Sequence, residues 1–540
     1  MKWLRPSLLV LVSVVLAIGA AALVAGSFWE RNATPRAVPL PLPEGDREIV
    51  WLHAATNTSW QRLVTAVRRV QEVCPELHLH VDEDAAFPQQ TTAVPEIAVA
   101  VGAGKAKVRI RWYKLTSDLK TTDWIKALVE KRPPPLAIIG GSSSDVAIEL
   151  AQDLQGIAAP LGAKAPLLLL TTATSDEVRG PDDHLVSLNG LYPGRTFRFC
   201  FTNRQMAEAV TDFLWSQDEL RPDADPVYVT YWEDDPYSAN LTGRFMEALR
   251  APAVRAAVQD WAWPAGAAAT GAMPIELAAV HRGQFRLSSL AVTERIPFSV
   301  GTFQRPNRWE AAAAEDLMKE VGQHPRQRRP LLILPATGQP ARRFLHGLVR
   351  NAPLDAQRFV VATGDAIPFN TIYRDRNLSW PIQDLPFPLV CFCHRNPVDE
   401  RAGFQPESGN RSARPNEGSP ATGTEDLLLY VDIVQAIVQA ARAEEGWVVN
   451  AEQLARRLSD LRVSEDGLLD LLSNHQPLFD KEGNRRDGTG EHLVYLRPTV
   501  EKGRLLPRAT ISVWSRPSSR GSAWQSSRTL TAEYEEATAN

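Results

Sequence analysis

From residue 48 to residue 393 the chain alternates between two hydrophobic periods, and no other feature restricts its fold as much. The runs EIVWLH (48–53), LAII (136–139), LLLL (167–170), VYVTY (227–231), LLIL (331–334), FVVA (359–362) and FPLVCFC (387–393) have the length and content of buried strands. Between them the apolar residues take helical spacing: Val146, Ala147, Leu150, Ala151 and Leu154 form one stripe, Met206, Ala209, Val210, Phe213 and Leu214 another, and Leu241, Phe245, Ala248 and Leu249 a third. A strand repeats every two residues and a helix every 3.6, so a chain that switches repeatedly from one to the other builds βα units on parallel sheets. The expected fold class is α/β.

Local signals place the element ends. Ser142 with Asp145 three residues on is a capping-box-like helix start, Thr202 with Gln205 is a second, and Pro340 sits near the first turn of a helix. Polar residues gather where strands stop, in Gly140–Ser144, Thr171–Asp176, Glu233–Ser238 and Thr363–Ala366. Open parallel sheets bind ligands at the carboxyl ends of their strands, where helix N-termini offer free N–H groups. Trp232, Glu233, Asp234 and Asp235 read as a solvated acidic loop.

Composition narrows the function. At 540 residues, with 44% hydrophobic residues, the chain can bury two or three cores. Lys+Arg 59 against Asp+Glu 63 leaves a net charge of -4, without the basic field that holds a phosphate backbone, so no nucleic-acid partner is expected. Cys74, Cys200, Cys391 and Cys393 are too few for a disulfide framework and form no CxxC pair. The stretch from Gly102 to Lys105 is no phosphate loop, because Val99 stands where the first glycine belongs and Ala106 where Ser or Thr would hold a metal. G-x-S-x-G, H-E-x-x-H and G-x-G-x-x-G are all missing, so the chain is read as a non-enzyme without cofactor. Cys391, Cys393 and His394 lie close enough on a strand to share a metal, yet a structural zinc site needs four ligands, and packing is the preferred reading.

Lys2 and Arg5 precede an uncharged apolar run from Leu8 to Phe28. At 1.5 Å per residue it covers about 30 Å, a hydrocarbon core's thickness, so residues 1–30 are expected to be an uncleaved anchor with a cytoplasmic N-terminus. Ala20 and Ala22 form an A-x-A-like site, which keeps a cleaved signal peptide as the alternative. Residues 31–46 hold four prolines and read as an extended tether. Lobe boundaries follow: 47–200 and 425–475 in one lobe, 201–400 in the other, 401–424 a disordered linker, 476–514 C-terminal strands and 515–540 a disordered tail.

The segments LAIIGGSSSDVAIELAQDL, PLLLLTTATSDEV, FRFCFTNRQMAEAVTDFLW and VYVTYWEDDPYSANLTGRFMEAL, followed by LLILPATGQPARRFLHGL, FVVATGDA and PLVCFCHRNP, together resemble the type I periplasmic-binding-protein fold. The likeness is to the branched-chain amino-acid-binding proteins of ABC importers, and covers most of residues 48–510. It implies two Rossmann-like lobes with parallel sheets, joined by three crossing segments and closing on a ligand. It also implies a periplasmic or extracytoplasmic location at the cytoplasmic membrane, with an ABC permease as partner. By the resemblance, Ser142, Ser143, Ser144, Ala173 and Thr174 would cradle a ligand carboxylate, Tyr237 would close from the second lobe, and Asp365 would receive the ligand ammonium. Each position also has a plain use, as cap, turn or packing. The resemblance makes an amino acid or a related carboxylate the expected class; Ser238 replaces the glycine usual after the second-lobe tyrosine, and Asp145 stands where a carboxylate would bind and opposes it unless it points away, so the ligand's identity stays open. An anchored envelope sensor or protein-interaction module on the same fold is the alternative.

With an uncleaved anchor, the full-length protein will stay in the membrane pellet after osmotic shock and keep an intact N-terminus in mass spectrometry. A released form beginning near residue 23 overturns that reading.

Overall fold

A computed structural model describes residues 36–533 except 55–56, 76–78, 83–93, 102–105, 181, 183, 221–226, 231, 233–234, 250–307, 324–330, 352–359, 374–379, 400–424, 444–445, 448–449, 464–468, 471–475, 487–489, 502–503 and 517–522. The anchor expected at 1–30 and the linker expected at 401–424 lie outside the described residues. Among the described residues no helix is long and apolar enough to cross a membrane.

The first lobe is a seven-stranded sheet made of β1 (Arg47–His53), β2 (Leu79–Asp82), β3 (Glu96–Val101), β4 (Val108–Lys114), β5 (Ala137–Gly140), β6 (Leu167–Leu170) and β7 (Thr196–Arg198), in the order β2-β3-β4-β1-β5-β6-β7. From β4 to β7 neighbouring strands are parallel. Strand β1 is central, with β4 on one side and β5 on the other, so consecutive connections leave it in opposite directions and open a crevice above its carboxyl end. Its side chains divide between two cores: Ile49 and Trp51 pack under α1 (Asn57–Val73) and α8 (Glu425–Ala441), Val50 and Leu52 under α2 (Thr121–Glu130) and α3 (Ser144–Leu161). At the sheet's edge β2 and β3 pair antiparallel, and β3 pairs antiparallel with β4. The expected tether is docked at its described end, where Arg111 donates to the Leu40 and Pro41 carbonyls and the Leu40 N–H to the Tyr113 hydroxyl.

The second lobe carries β8 (Val227–Val229), β9 (Leu331–Ile333), β10 (Val360–Thr363) and β11 (Leu389–Cys393) in parallel, continued by antiparallel β12 (Glu491–Glu501), β13 (Arg504–Arg516) and β14 (Gln525–Glu533). Around it pack α4 (Asn203–Ser216), α5 (Pro236–Leu249), α6 (Arg308–Gln323) and α7 (Gly338–Asn351). The disordered tail expected at 515–540 is corrected by β14. Its alternating Leu530 and Ala532 are buried, a short two-residue period masked in the sequence by the Ser, Arg and Thr between them.

Crossing segments join the lobes. After β7 the chain enters α4, whose N-cap Thr202 accepts from the Gln205 N–H while Gln205 accepts from the Thr202 N–H, the box expected from sequence. Returning from α9 (Ala451–Ser459), residues 478–486 lie beside β7, with Arg198 and Asn484 in parallel register. Gly483 has φ +81°, and a Cβ there would stand 2.1 Å from the Thr196 carbonyl oxygen, so the close approach requires glycine. The Arg485 guanidinium, with 1% of its side chain exposed, donates to Asp432 of α8 (3.2 Å) and to the Phe199 carbonyl (3.0 Å) and lies 4.8 Å over the Phe201 ring. Arg395, leaving β11, reaches the other Asp432 oxygen at 3.4 Å.

Asp432→Asn removes the carboxylate shared by these two buried guanidiniums and should cost about 3–5 kcal/mol, read from urea unfolding. A loss below about 1 kcal/mol would show that the hinge does not depend on this pairing.

Candidate functional site

Loops at the strand ends of the two lobes meet in one seam. On the first-lobe side, β5 turns through Gly141 and Ser142 into α3. The capping box expected from Ser142 and Asp145 does not form: the N-cap is Ser143 and makes no side-chain capping bond. Ser142 is exposed, Ser143 half-buried and Ser144 buried. Ser144 faces the neighbouring loop instead, where Ser175 Oγ stands 2.8 Å from Ser144 Oγ and 3.3 Å from the Pro236 carbonyl of the second lobe. Donating to that carbonyl leaves Ser175 to accept from Ser144, a relay from one lobe into the other.

The Ala173–Thr174 loop is fixed from behind. The Thr174 carbonyl accepts from the Asn203 N–H (2.7 Å) and from Arg198 (3.3 Å), and the Ala173 carbonyl lies 3.4 Å from the Cys200 thiol. Arg198 is fully buried, and its other bond goes to the Asn189 amide oxygen. With its backbone so occupied, Thr174 keeps a buried Oγ1 that has no protein partner.

On the second-lobe side Tyr237 and Asp365 come together. The Tyr237 hydroxyl donates to Asp365 Oδ1 at 2.7 Å, and His394 Nε2 lies 2.8 Å from Oδ2. His394 Nδ1 accepts the Phe201 N–H, which puts the ring proton on Nε2, where it donates to Asp365. Burial alone would raise the Asp365 pKa; the His394 N–H and the Tyr237 hydroxyl outweigh it and hold the carboxyl below its ordinary value. Burial and the adjacent carboxylate push the Tyr237 phenol well up. Gly364 makes room for this pair, because a Cβ there would stand 2.7 Å from the Tyr237 hydroxyl. Both nitrogens of His394 are used, so it has none to share with Cys391 and Cys393, which are buried in the second-lobe core.

Asp235, read from sequence as solvated, is 4% exposed. It caps α5, with Oδ1 accepting the Tyr237 N–H at 3.1 Å and Pro236 filling the first helical position. An Asp-Pro pair ahead of a helical stripe is itself a capping signal, legible without coordinates. Its second oxygen is buried without a partner, and burial, reinforced by the Asp145 carboxylate across the seam, raises its pKa to about 7. Asn203 ties the seam further, its amide donating to the Tyr237 carbonyl (3.3 Å) and to Asn240 Oδ1 (3.0 Å). Arg244 of α5 pairs with Asp176 and Glu177 of the first lobe. Beside these pairs lies a polar cavity of about 660 Å³ shared with Arg204, Asp480 and Asn484 of the hinge.

No protein-family model matches the chain, and no curated protein matches it. Among solved structures it is similar to an ABC transporter substrate-binding protein from Desulfitobacterium hafniense, at 13% identity over 85% of this chain and 99% of that one, with a TM-score of 0.46. A leucine binding protein from Thermotoga maritima is similar at 11% identity, over 85% and 97% of the two chains, with a TM-score of 0.45. A solute binding protein of an ABC transporter from R. palustris, in complex with benzoate, is similar at 11% identity, over 86% and 95%, with a TM-score of 0.46.

The raised Asp235 pKa sets a direction for stability. Between about pH 4 and about 7 the folded chain keeps a proton that the unfolded chain has lost, so this group makes stability fall as pH rises through that window and leaves it level above. The slope from one proton is at most about 1.4 kcal/mol per pH unit. Asp235→Asn keeps the cap and should remove this contribution in urea titrations from pH 4 to 8; an unchanged profile would count against a buried, protonated Asp235.

Proposed function

We propose that this chain is an extracytoplasmic solute-binding protein that captures a small polar ligand between its lobes and presents it to an ABC-type importer. The observation that carries the reading is the meeting, in one seam, of strand-end loops from two separate parallel sheets, with polar side chains from both sides facing the join. Ser142, Ser143, Ser144, Ala173 and Thr174 would form the first-lobe half, the exposed or unpartnered groups Ser142, Ser143 and Thr174 Oγ1 taking the ligand. Tyr237 would supply the second half on closure. Asp365 would act mainly through Tyr237: by accepting the phenolic proton it turns the phenol oxygen's lone pairs toward whatever donor enters the seam.

The two halves have different consequences. A group in the first lobe contacts ligand in the open form, and a group in the second only after closure, which slows release. A thermal-shift screen of amino acids and small carboxylates on the full-length chain would identify a ligand. With it, Thr174→Ala should weaken binding by about 1–2 kcal/mol in calorimetry, the value of one lost hydrogen bond, and Tyr237→Phe should act chiefly on the dissociation rate. Unchanged affinity and rate in both variants would remove this seam as the binding site.

A further inference from the structure

The seam holds a surplus of oxygen acceptors. Asp235 Oδ2, Asn203 Oδ1 and Thr174 Oγ1 are all buried and all lack a protein partner. They belong to one hydrogen-bonded patch: Asn203 bonds the Tyr237 carbonyl and the Thr174 carbonyl, Tyr237 bonds Asp235, and Ser175 bonds Pro236 between them. The Asn203 amide oxygen can only accept, and so can the Asp235 carboxylate once it is ionised, so an occupant that binds the ionised patch has to donate. The charge in the patch has the same sense. Asp145, exposed in the first turn of α3, is near enough for its charge to help raise the Asp235 pKa. The basic groups close by are committed elsewhere, Arg244 to Asp176, Glu177 and Glu247, and Arg198 to the Thr174 carbonyl and Asn189. Asp365, in the loop after β10, already holds two donors from its own lobe.

We propose that Asp235, opposed by Asp145 and flanked by Asn203 and Thr174, is a cation-recognising subsite at the lobe seam, and that the captured ligand carries a protonated amine or amidine that docks there. The inference rests on the capture reading and deepens it: the ligand's positive group goes to Asp235 and leaves Asp365 to position Tyr237. It also gives closure a condition. With the seam shut and no cation in it, the Asp235 carboxyl is buried with one oxygen unmet, and it relieves the cost of burial, to which the Asp145 carboxylate adds, by taking a proton. An ammonium or amidinium group does the same work with directed N–H donors, so a cationic ligand and a proton compete for the same oxygen. Among the described residues, Tyr237, which bonds Asp235 through its N–H, carries Asp365 and His394 on its hydroxyl side, and across the seam the Asp176 N–H donates to Asn240.

The test uses the full-length chain with matched probes: ethylamine, putrescine and agmatine as cations, acetate and succinate as anions, and sodium and calcium chloride as inorganic cations, followed by thermal shift and calorimetry. At least one amine should raise the melting temperature of the wild type, and its affinity should fall about tenfold per pH unit below about pH 7. In Asp235→Asn, where the helix cap survives, affinity should drop at least tenfold and lose that pH dependence; Asp145→Asn should weaken it less. Amine binding that is equal in Asp235→Asn, or flat with pH, overturns the subsite, as does stabilisation by sodium or calcium alone. A carboxylate or neutral solute that binds the seam with full affinity in Asp235→Asn also overturns the subsite and leaves capture intact. Failure of every amine, amino acid and carboxylate to bind or to compact the lobes in scattering overturns both.

Discussion

Arg485 is a guanidinium with almost no access to water, and the two-lobed arrangement depends on how its charge is met. It joins its own stretch to two others far away in sequence: Asp432 on a first-lobe helix, and the segment leading from the first lobe to the second, through the Phe199 carbonyl and the Phe201 ring. Its own carbonyl takes the amide of Gln205, the residue that completes the α4 capping box. Burial lowers its pKa to about 10, which still leaves it charged near neutrality, and Asp432 is the carboxylate that pays for this. A buried charge is tolerable only with its partner in place, so the positions of these three stretches are fixed together.

Around that hinge the interactions are of two kinds. Inside each lobe, strands and helices bury large apolar cores, Trp51 with Trp60 and Trp112 on one side and Phe201, Phe213 and Phe245 on the other. Between the lobes the described contacts are mostly polar: the Ser144–Ser175–Pro236 relay, the Asp176 N–H on Asn240, the Asn203 N–H on the Thr174 carbonyl, and the Arg244 pairs. Each such bond contributes about 1 kcal/mol, whereas a core side chain contributes two or three times that. The lobes therefore move more easily as bodies than they deform. A seam of weak polar bonds around opposed carboxylates can be shifted by a single charged occupant.

Much of this was legible beforehand, for physical reasons that differ by element. LLLL at 167–170 has one reading because its neighbours bury both its faces; Thr202 with Gln205 is legible because a capping box is a contact between residues three apart. The pairing of Tyr237 with His394 through Asp365 was not, since those residues are more than 25 positions apart and only the stacking of β8 to β11 brings them together. Ser143 and Ser144 show the limit of local reasoning. A Ser-rich helix start looks like a cap, but Ser144 bonds across to Ser175, a partner from the next βα unit.

The sequence by itself determined the periods, and with them the α/β class, the strand and helix segments, most of the caps, and the loops that would lie at strand ends. These follow from contacts within a few residues and from which side chains prefer to leave water. Tertiary structure decided what each polar side chain in those loops would do. It buried Asp235 as a cap with one oxygen unsatisfied, gave Asp365 to its own lobe, and made a strand of 525–533. The reason is that burial and electrostatics are set by what arrives from elsewhere in the chain: an aspartate that follows a glutamate and another aspartate reads as solvated until the rest of the fold buries it.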